Sequence, residues 1–298
     1  MARPISRKHH YLPRHYLRGF VDDTGSFHVW DKKADRIFQT NPSAAFFEND
    51  LNTVTFPGGQ SSDFLEDLYA EMENQSWGAL DRIRESTDIT PVSLLDKMHL
   101  LFFLLFLYWR LPSNAKRAKA LSELAFTGTD DFDFFRLTNE AGEVAPKEVT
   151  EHLKNSEAFQ KAFRQVVPFA PFFKKKDWAV RVNDWRFLYA ADGKTWHLVG
   201  DNPFIIKGDT ESTFISSFPR FLFPVSGRIL LVCTDRPITK GVTPAFLIEQ
   251  NNAMIHNAER FVACHSKDFL EAQIKYYRIF MSYGKTDLII PELFDMLS

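Results

Sequence analysis

LLFFLLFLYW, residues 100–109, is the stretch on which the fold turns. Ten consecutive apolar residues fall short of the roughly 20 that a membrane-crossing helix needs. They are apolar on nearly every side of a helix, so they predict a helix at the centre of a core. Working outward, Thr90-Pro91 predicts its start and Pro112 its stop, since proline suits a first turn and cannot continue a helix. Upstream, Phe64, Leu65, Leu68, Met72, Trp77, Leu80 and Ile83 recur every three or four positions between acidic residues, which predicts an amphipathic helix over 62–85. Residues 114–126 and 146–166 predict two more, with a polar, Asp-rich excursion over 127–142 between them.

After Pro171 the pattern changes to short aromatic and β-branched runs. Residues 178–182, 185–190, 195–199, 204–207 and 229–233 predict strands of an antiparallel sheet. Ser26–Trp30 and Arg36–Gln39 predict a hairpin around the turn 31–35, and 244–263 and 267–283 predict closing helices. The expected architecture is α+β, one domain over residues 1–298, with a helical middle section packed on a mainly antiparallel sheet from the C-terminal half.

Composition agrees. Of 298 residues, 45% are apolar and 30 are Phe, enough for one large core. No apolar run follows the basic start, which argues against a secretory signal. The two isolated cysteines, Cys233 and Cys264, make neither a disulfide framework nor a zinc site. Free buried thiols in a reducing cytoplasm, with no membrane partner, are therefore expected. A net charge of −2 excludes a uniformly basic nucleic-acid binder, yet charge is uneven. Through residue 21 the chain carries Arg3, Arg7, Lys8, Arg14 and Arg18 with His9, His10 and His15, and no acid. Lys174-Lys175-Lys176 is a second basic run.

The basic opening contains HHYLPRHYLRGF, residues 9–20. On a short helix from Pro13, Arg14 and Arg18 lie one turn apart, with Leu17 and Phe20 facing inward and Gly19 just past the end. Guanidinium groups clamp phosphate or carboxylate in bidentate fashion, and imidazoles move protons near neutral pH. Equally open is a structural reading in which the aromatics anchor the terminus and the charges are solvated.

This opening resembles the signature of the domain of unknown function 4238 family, whose members typically begin with an HHYxPxxYLxxF-like stretch. Later elements follow in the expected order. Trp109-Arg110-Leu111-Pro112 is similar to an Arg-x-Pro element closing a buried helix, and Gly200-Asp201-Asn202-Pro203-Phe204 to a Ser-Asp-Asn-Pro element, with Gly200 in place of the usual Ser. Phe223-Pro224-Val225-Ser226 and the helix carrying Asn251 complete the set. The family is functionally uncharacterised, and the resemblance implies a link to bacterial anti-phage defence without assigning any catalytic residue.

Four further positions draw attention. Asp201 and Asn202 either orient a histidine and contact a ligand or simply form a turn before Pro203. Asn251 shares a helix face with Leu247, Met254, Ala258 and Phe261, so its amide must bond a neighbouring backbone or line a pocket. Arg110, ending the most apolar helix, suits the helix dipole and calls for an acidic partner or a ligand.

No phosphate-binding glycine loop, His-Glu-x-x-His, Gly-x-Ser-x-Gly or paired-cysteine motif occurs. Two function classes remain. One is a defence effector acting on a nucleic acid or nucleotide as a phosphodiesterase or nuclease without metal or cofactor. His10 and His15 would then be acid and base, Asp201 would orient an imidazole, and His9, Arg14, Arg18, Arg110, Asn202 and Asn251 would hold the ligand. The other is a non-enzymatic sensor recognising a phage component, with Asp130-Asp131-Phe132-Asp133-Phe134-Phe135 as a contact segment.

Overall fold

The computed structural model describes residues 6–55, 59–87, 91–124, 138, 141–170, 172, 178–190, 196–208, 220–234, 238, 243–284 and 288–297. The Asp130–Phe135 segment and Lys174–Lys176 lie outside them, as does Thr90.

The apolar stretch forms the second half of a helix, Leu94–Arg110. Ser93 caps it, accepting from the Asp96 N–H, and its hydroxyl donates to Asp96 Oδ2 at 2.6 Å. This cap sets the start four residues beyond Thr90, because a serine side chain satisfies an N–H that Pro91 would leave open. Arg82 pairs with the same Asp96 at 2.6 Å and ties in the preceding helix, Phe64–Glu85. In chain order the helices are α1 Arg14–Leu17, α2 Phe64–Glu85, α3 Leu94–Arg110, α4 Ala115–Leu124, α5 Lys147–Lys154, α6 Glu157–Val166, α7 Trp178–Asn183, α8 Pro244–Asn257, α9 Lys267–Ser282 and α10 Ile289–Asp295. The predicted helix over 146–166 is thus two, since Ser156 accepts from the Phe159 N–H and starts α6 afresh.

Two four-stranded antiparallel sheets accompany the helices. With β7 Arg186–Tyr189, β9 Ile205–Lys207, β10 Arg220–Pro224 and β11 Ile229–Cys233, the first runs β7-β11-β10-β9. Its central strands, β11 and β10, are buried on both faces. On β11, Ile229, Leu231 and Cys233 join the core around α3, while Leu230 and Val232 join the core around α8 and α10. Side chains alternate along a strand, so one apolar run serves two layers.

The second sheet runs β3-β2-β12-β8 and draws on both ends of the chain: the predicted hairpin, β2 Phe27–Asp31 and β3 Arg36–Thr40, then β12 Phe261–Cys264 and β8 Val199–Gly200. Two short ladders complete the pairing, β1 Lys8–His10 with β4 Phe47–Asn49 and β5 Val54–Thr55 with β6 Ser61–Ser62.

The α+β class and the helical middle agree with the sequence reading; three local expectations do not. Residues 178–182 alternate like a strand but form α7 beside α3, where Lys97 donates to the carbonyls of Asn183 (2.8 Å) and Trp185 (3.1 Å). Of the strand expected over 195–199, only Val199 pairs among the described residues, continuing into Gly200. The helix expected over 244–263 ends at Asn257, and Phe261–Cys264 joins the second sheet. What stops it lies far away in sequence: Lys32 Nζ donates to the carbonyls of Ile255 (2.7 Å) and Ala258 (2.5 Å). Cys233 and Cys264 are buried thiols outside any disulfide, as expected.

Gly200 packs so closely under α8 that an added Cβ would stand 3.0 Å from Ala258 Cβ and 3.1 Å from Met254 Sδ. The helix lies where the usual family serine would sit. Gly200→Ser is expected to cost about 1–3 kcal/mol in urea unfolding, the range for overpacking a tight contact.

Candidate functional site

The N-terminal motif does not gather its three imidazoles. Adjacent residues of a strand face opposite ways, and β1 sends the ring of His9 inward. Its Nδ1 accepts from the Asn52 N–H at 2.9 Å, which leaves Nε2 to donate to the Ser6 carbonyl at 2.8 Å. Both nitrogens are taken by backbone, so His9 is a clasp between β1 and the 50–52 turn. His10 turns the other way, against the Phe47 ring (centroids 5.7 Å apart). Burial and then the charge of Arg14 push its pKa down to about 4, and its buried Nε2 has no hydrogen-bond partner.

Pro13 stands at the cap position of α1 rather than inside the helix. Tyr16, Leu17 and Phe20 are buried, and the Tyr16 hydroxyl donates to the Pro224 carbonyl of β10 at 2.7 Å. Gly19 lies within the short turn Arg18–Phe20 and gives close passage to a neighbour: a Cβ there would stand 2.9 Å from Arg84 Nη2. That guanidinium donates to the carbonyls of His15 (3.2 Å) and Tyr16 (2.8 Å), holding α1 on α2. Arg14 and Arg18 are left exposed, with no ion-pair partner among the described residues.

His15 lands on α2. Its Nε2 meets Asp81 Oδ1 at 2.9 Å, and its ring stacks on Trp77 with centroids 5.1 Å apart and planes 14° off parallel. Burial holds its pKa below the usual histidine value although Asp81 pulls upward, and Arg18 adds to the depression. His15 is therefore neutral at pH 7 and oriented by a carboxylate, with Nδ1 unpartnered among the described residues. Trp77, Asp81 and Arg84 were missed at the sequence level. Their four-then-three spacing marks one helix face, but an amphipathic reading counts Trp77 as apolar and the charges as solvated.

The remaining candidates hold the fold. Arg110 is buried and pairs with Glu66 at 3.2 Å and with Glu73, its guanidinium 4.4 Å above the Tyr69 ring. Burial drives the Glu73 carboxyl upward against the pull of Arg110. Burial also works to lower Arg110, yet Glu73, Glu66 and Tyr69 more than offset it and its pKa is raised. Asn251 behaves like a strand edge: Oδ1 accepts from the Leu198 N–H at 2.9 Å and Nδ2 donates to the Trp196 carbonyl at 2.8 Å.

Asp201 orients no imidazole. Its two oxygens accept the N–H groups of Glu259 (2.8 Å), Arg260 (2.7 Å) and Phe261 (2.9 Å), where the chain leaves α8 for β12. Burial raises its pKa against those three donors. The Asn202 carbonyl accepts from Asn257 at 3.0 Å, and its buried Oδ1 has no partner. Neither Asp201 nor Asn202 is a simple local turn former, since both bond residues more than 50 positions away.

Opening motif, Arg-x-Pro element, Asp-Asn-Pro element and Asn251 helix thus each tie one part of the fold to another. The family model described as a protein of unknown function (DUF4238) matches residues 8–268. The chain belongs to the DUF4238 family. No curated protein matches it, and no solved structure does. In this DUF4238 chain no group of three or more His, Cys, Asp and Glu placed to hold a metal ion occurs among the described residues. No helix there is long and apolar enough to cross a membrane.

Two outcomes follow for this DUF4238 chain. Replacing Glu73 with Gln leaves Arg110 under-compensated in the interior, and a loss of about 3–5 kcal/mol is expected in chemical unfolding. His197 is buried, with Nδ1 2.8 Å from Gln250 Oε1, and burial lowers its pKa from 6.5 to about 4. The native state then binds fewer protons than the unfolded chain below pH 6.5. Its contribution is full above that pH and declines as pH falls towards 4, by about 3 kcal/mol. Urea midpoints measured across this window should fall with pH, and His197→Gln should flatten the slope.

Proposed function

We propose that the α1 face recognises a phosphate-bearing ligand, a nucleic acid or nucleotide, and that the dyad of His15 and Asp81 serves any proton transfer there. The observation that carries this reading is the pair Arg14 and Arg18: exposed, unpaired among the described residues, and one turn apart on a segment held rigidly by Arg84 and Tyr16. Unpaired guanidiniums on a fixed element form a preorganised clamp for phosphate oxygens.

The protonation states restrict the chemistry. An acid–base pair of His10 and His15 needs one protonated ring, yet both pKa values are lowered. At neutral pH His10 is a neutral imidazole, too weak an acid to serve as the general acid. A single-base role falls to His15, with Asp81 orienting Nε2 so that Nδ1 accepts the proton of an attacking hydroxyl. A phosphodiesterase of this kind would suit the anti-phage role that the family resemblance implies.

A second reading, an interaction protein that recognises a phage component, is favoured by α9. On α9 and at its C-cap, Tyr276, Ile279 and Tyr283 are exposed at three- and four-residue spacing.

The test is fluorescence anisotropy with labelled oligonucleotides and a labelled nucleotide over a salt series. Arg14→Ala/Arg18→Ala, at two exposed positions, should keep the wild-type Tm, weaken binding about tenfold or more, and lower the salt slope by about 1–2. Asp81→Asn should spare binding and depress any phosphodiester cleavage. Unchanged affinity in the folded double variant would sink the phosphate reading and favour the α9 surface.

A further inference from the structure

Six separate segments of the chain meet at one cavity of about 180 Å³. Tyr11 comes from the N-terminal motif, Pro112 and Ser113 from the turn that closes α3, Asp201 from the Asp-Asn-Pro element, and Glu259 to Phe261 from the link between α8 and β12. Phe47 and Glu48 of β4 and Lys33 of the hairpin turn complete the wall. The opening motif, the Arg-x-Pro element and the Asp-Asn-Pro element thus share one cavity, and the α1 face does not use it.

The lining combines aromatic rings with unspent acid. Tyr11 is only 4% exposed, and its hydroxyl hydrogen-bonds no described residue. The charges acting on that hydroxyl are those of the cavity: Asp201, Glu48 and Glu259 against Arg260. The Ser113 hydroxyl is likewise buried without a partner. Arg260 is already committed to Asp31 at 2.8 Å, and Asp201 to three backbone N–H groups. Glu48 and Glu259 have no ion-pair partner among the described residues, and Lys33 is the one cation in the wall outside a salt bridge there. Three carboxylates thus face one unpaired ammonium.

Phe47 and Phe261 already hold cations on their faces, Phe47 one from outside the cavity and Phe261 the wall's own Arg260. Lys8 Nζ lies 3.9 Å from the Phe47 ring centroid, and the Arg260 guanidinium 4.6 Å from that of Phe261. Rings edged with carboxylates select positive charge. The volume is below the roughly 300 Å³ at which drug-sized pockets begin, so the occupant is compact.

We propose that this cavity binds a compact organic cation, an ammonium or guanidinium group on a short stem. Its charged end lies between Glu48 and Glu259, and its stem against Tyr11, Phe47 and Phe261. The Tyr11 and Ser113 hydroxyls accept its remaining N–H groups. The cation can come from a free amine or from a lysine side chain of another protein.

Calorimetry and thermal shift with agmatine, putrescine and N-acetyl-lysine methylamide, against n-butanol as neutral control, test the proposal. At least one cation should bind and raise Tm, while butanol should not. Glu48→Gln/Glu259→Gln, at two exposed positions, should retain its unliganded Tm and bind about tenfold or more weakly. Lys33→Ala should tighten binding by removing the like charge. Stronger binding of the lysine derivative than of the diamines assigns the natural source to a protein side chain, and the reverse order to a free amine. No binding of any cation at millimolar concentration, undiminished affinity in the folded double variant, or weaker binding by Lys33→Ala would overturn the proposal. Arg14→Ala/Arg18→Ala should leave amine binding unchanged, so the phosphate reading can fail independently.

Discussion

A guanidinium buried at the end of an apolar helix constrains the rest of this molecule. Arg110 closes α3 where there is little water to solvate it, so other elements must bring it charge and hydrogen-bonding partners. Helix α2 supplies Glu66, Glu73 and the face of Tyr69. Glu66 in turn accepts from the Asn52 side chain, and the Asn52 backbone N–H is the donor that His9 Nδ1 receives. Arg164 of α6 donates to the carbonyls of Trp109, Arg110 and Leu111, satisfying the helix end that Pro112 leaves open. One interior charge thereby orders α2, α6, the 50–52 turn and the first strand.

That arrangement explains the contrast within the N-terminal motif. Residues pointing towards the charged interior are consumed by it: His9 by backbone, Tyr16 by Pro224, and Leu17 and Phe20 by the core. Arg14 and Arg18, by contrast, are exposed and pair with no acid among the described residues. Arg14 and Arg18 need not be cationic to hold the fold, whereas Arg84, equally basic, pins two carbonyls of α1 and has its pKa lowered by burial. Similar residue types in one patch thus divide into fasteners and free groups.

Much of this was legible in the residues and some was not, for identifiable reasons. Helices α2 and α3 declare themselves because long periodic runs need little outside help, and so does the hairpin β2–β3, whose turn lies between two alternating segments. Strand β12 was hidden because Phe261 falls in phase with Leu247, Asn251 and Met254. Only Lys32 and Asp201, both distant, make the helix stop before it. Residues 178–182 alternate convincingly, but α7 forms where α3 offers a helical neighbour. At the candidate site the arginine pair was readable from spacing. The partner of His15 was not, since nothing local to Asp81 announces an imidazole 66 residues away. The amide of Asn251 was recognised as needing a partner, and the partner proved to be backbone.

The second sheet carries a consequence for how the chain comes into being. Asp31 of β2 lies opposite Phe261 of β12, 230 positions later. A ribosome adding about 5–20 residues per second needs roughly 10–50 s to cover that distance. Until β12 emerges, any hairpin formed by β2 and β3 has no neighbour on its β2 edge, and an unpaired strand edge is a template for other chains. Nascent-chain holdases, or sequestration of the edge against the emerging helices, would govern the yield of this protein during synthesis more than the stability of its finished core.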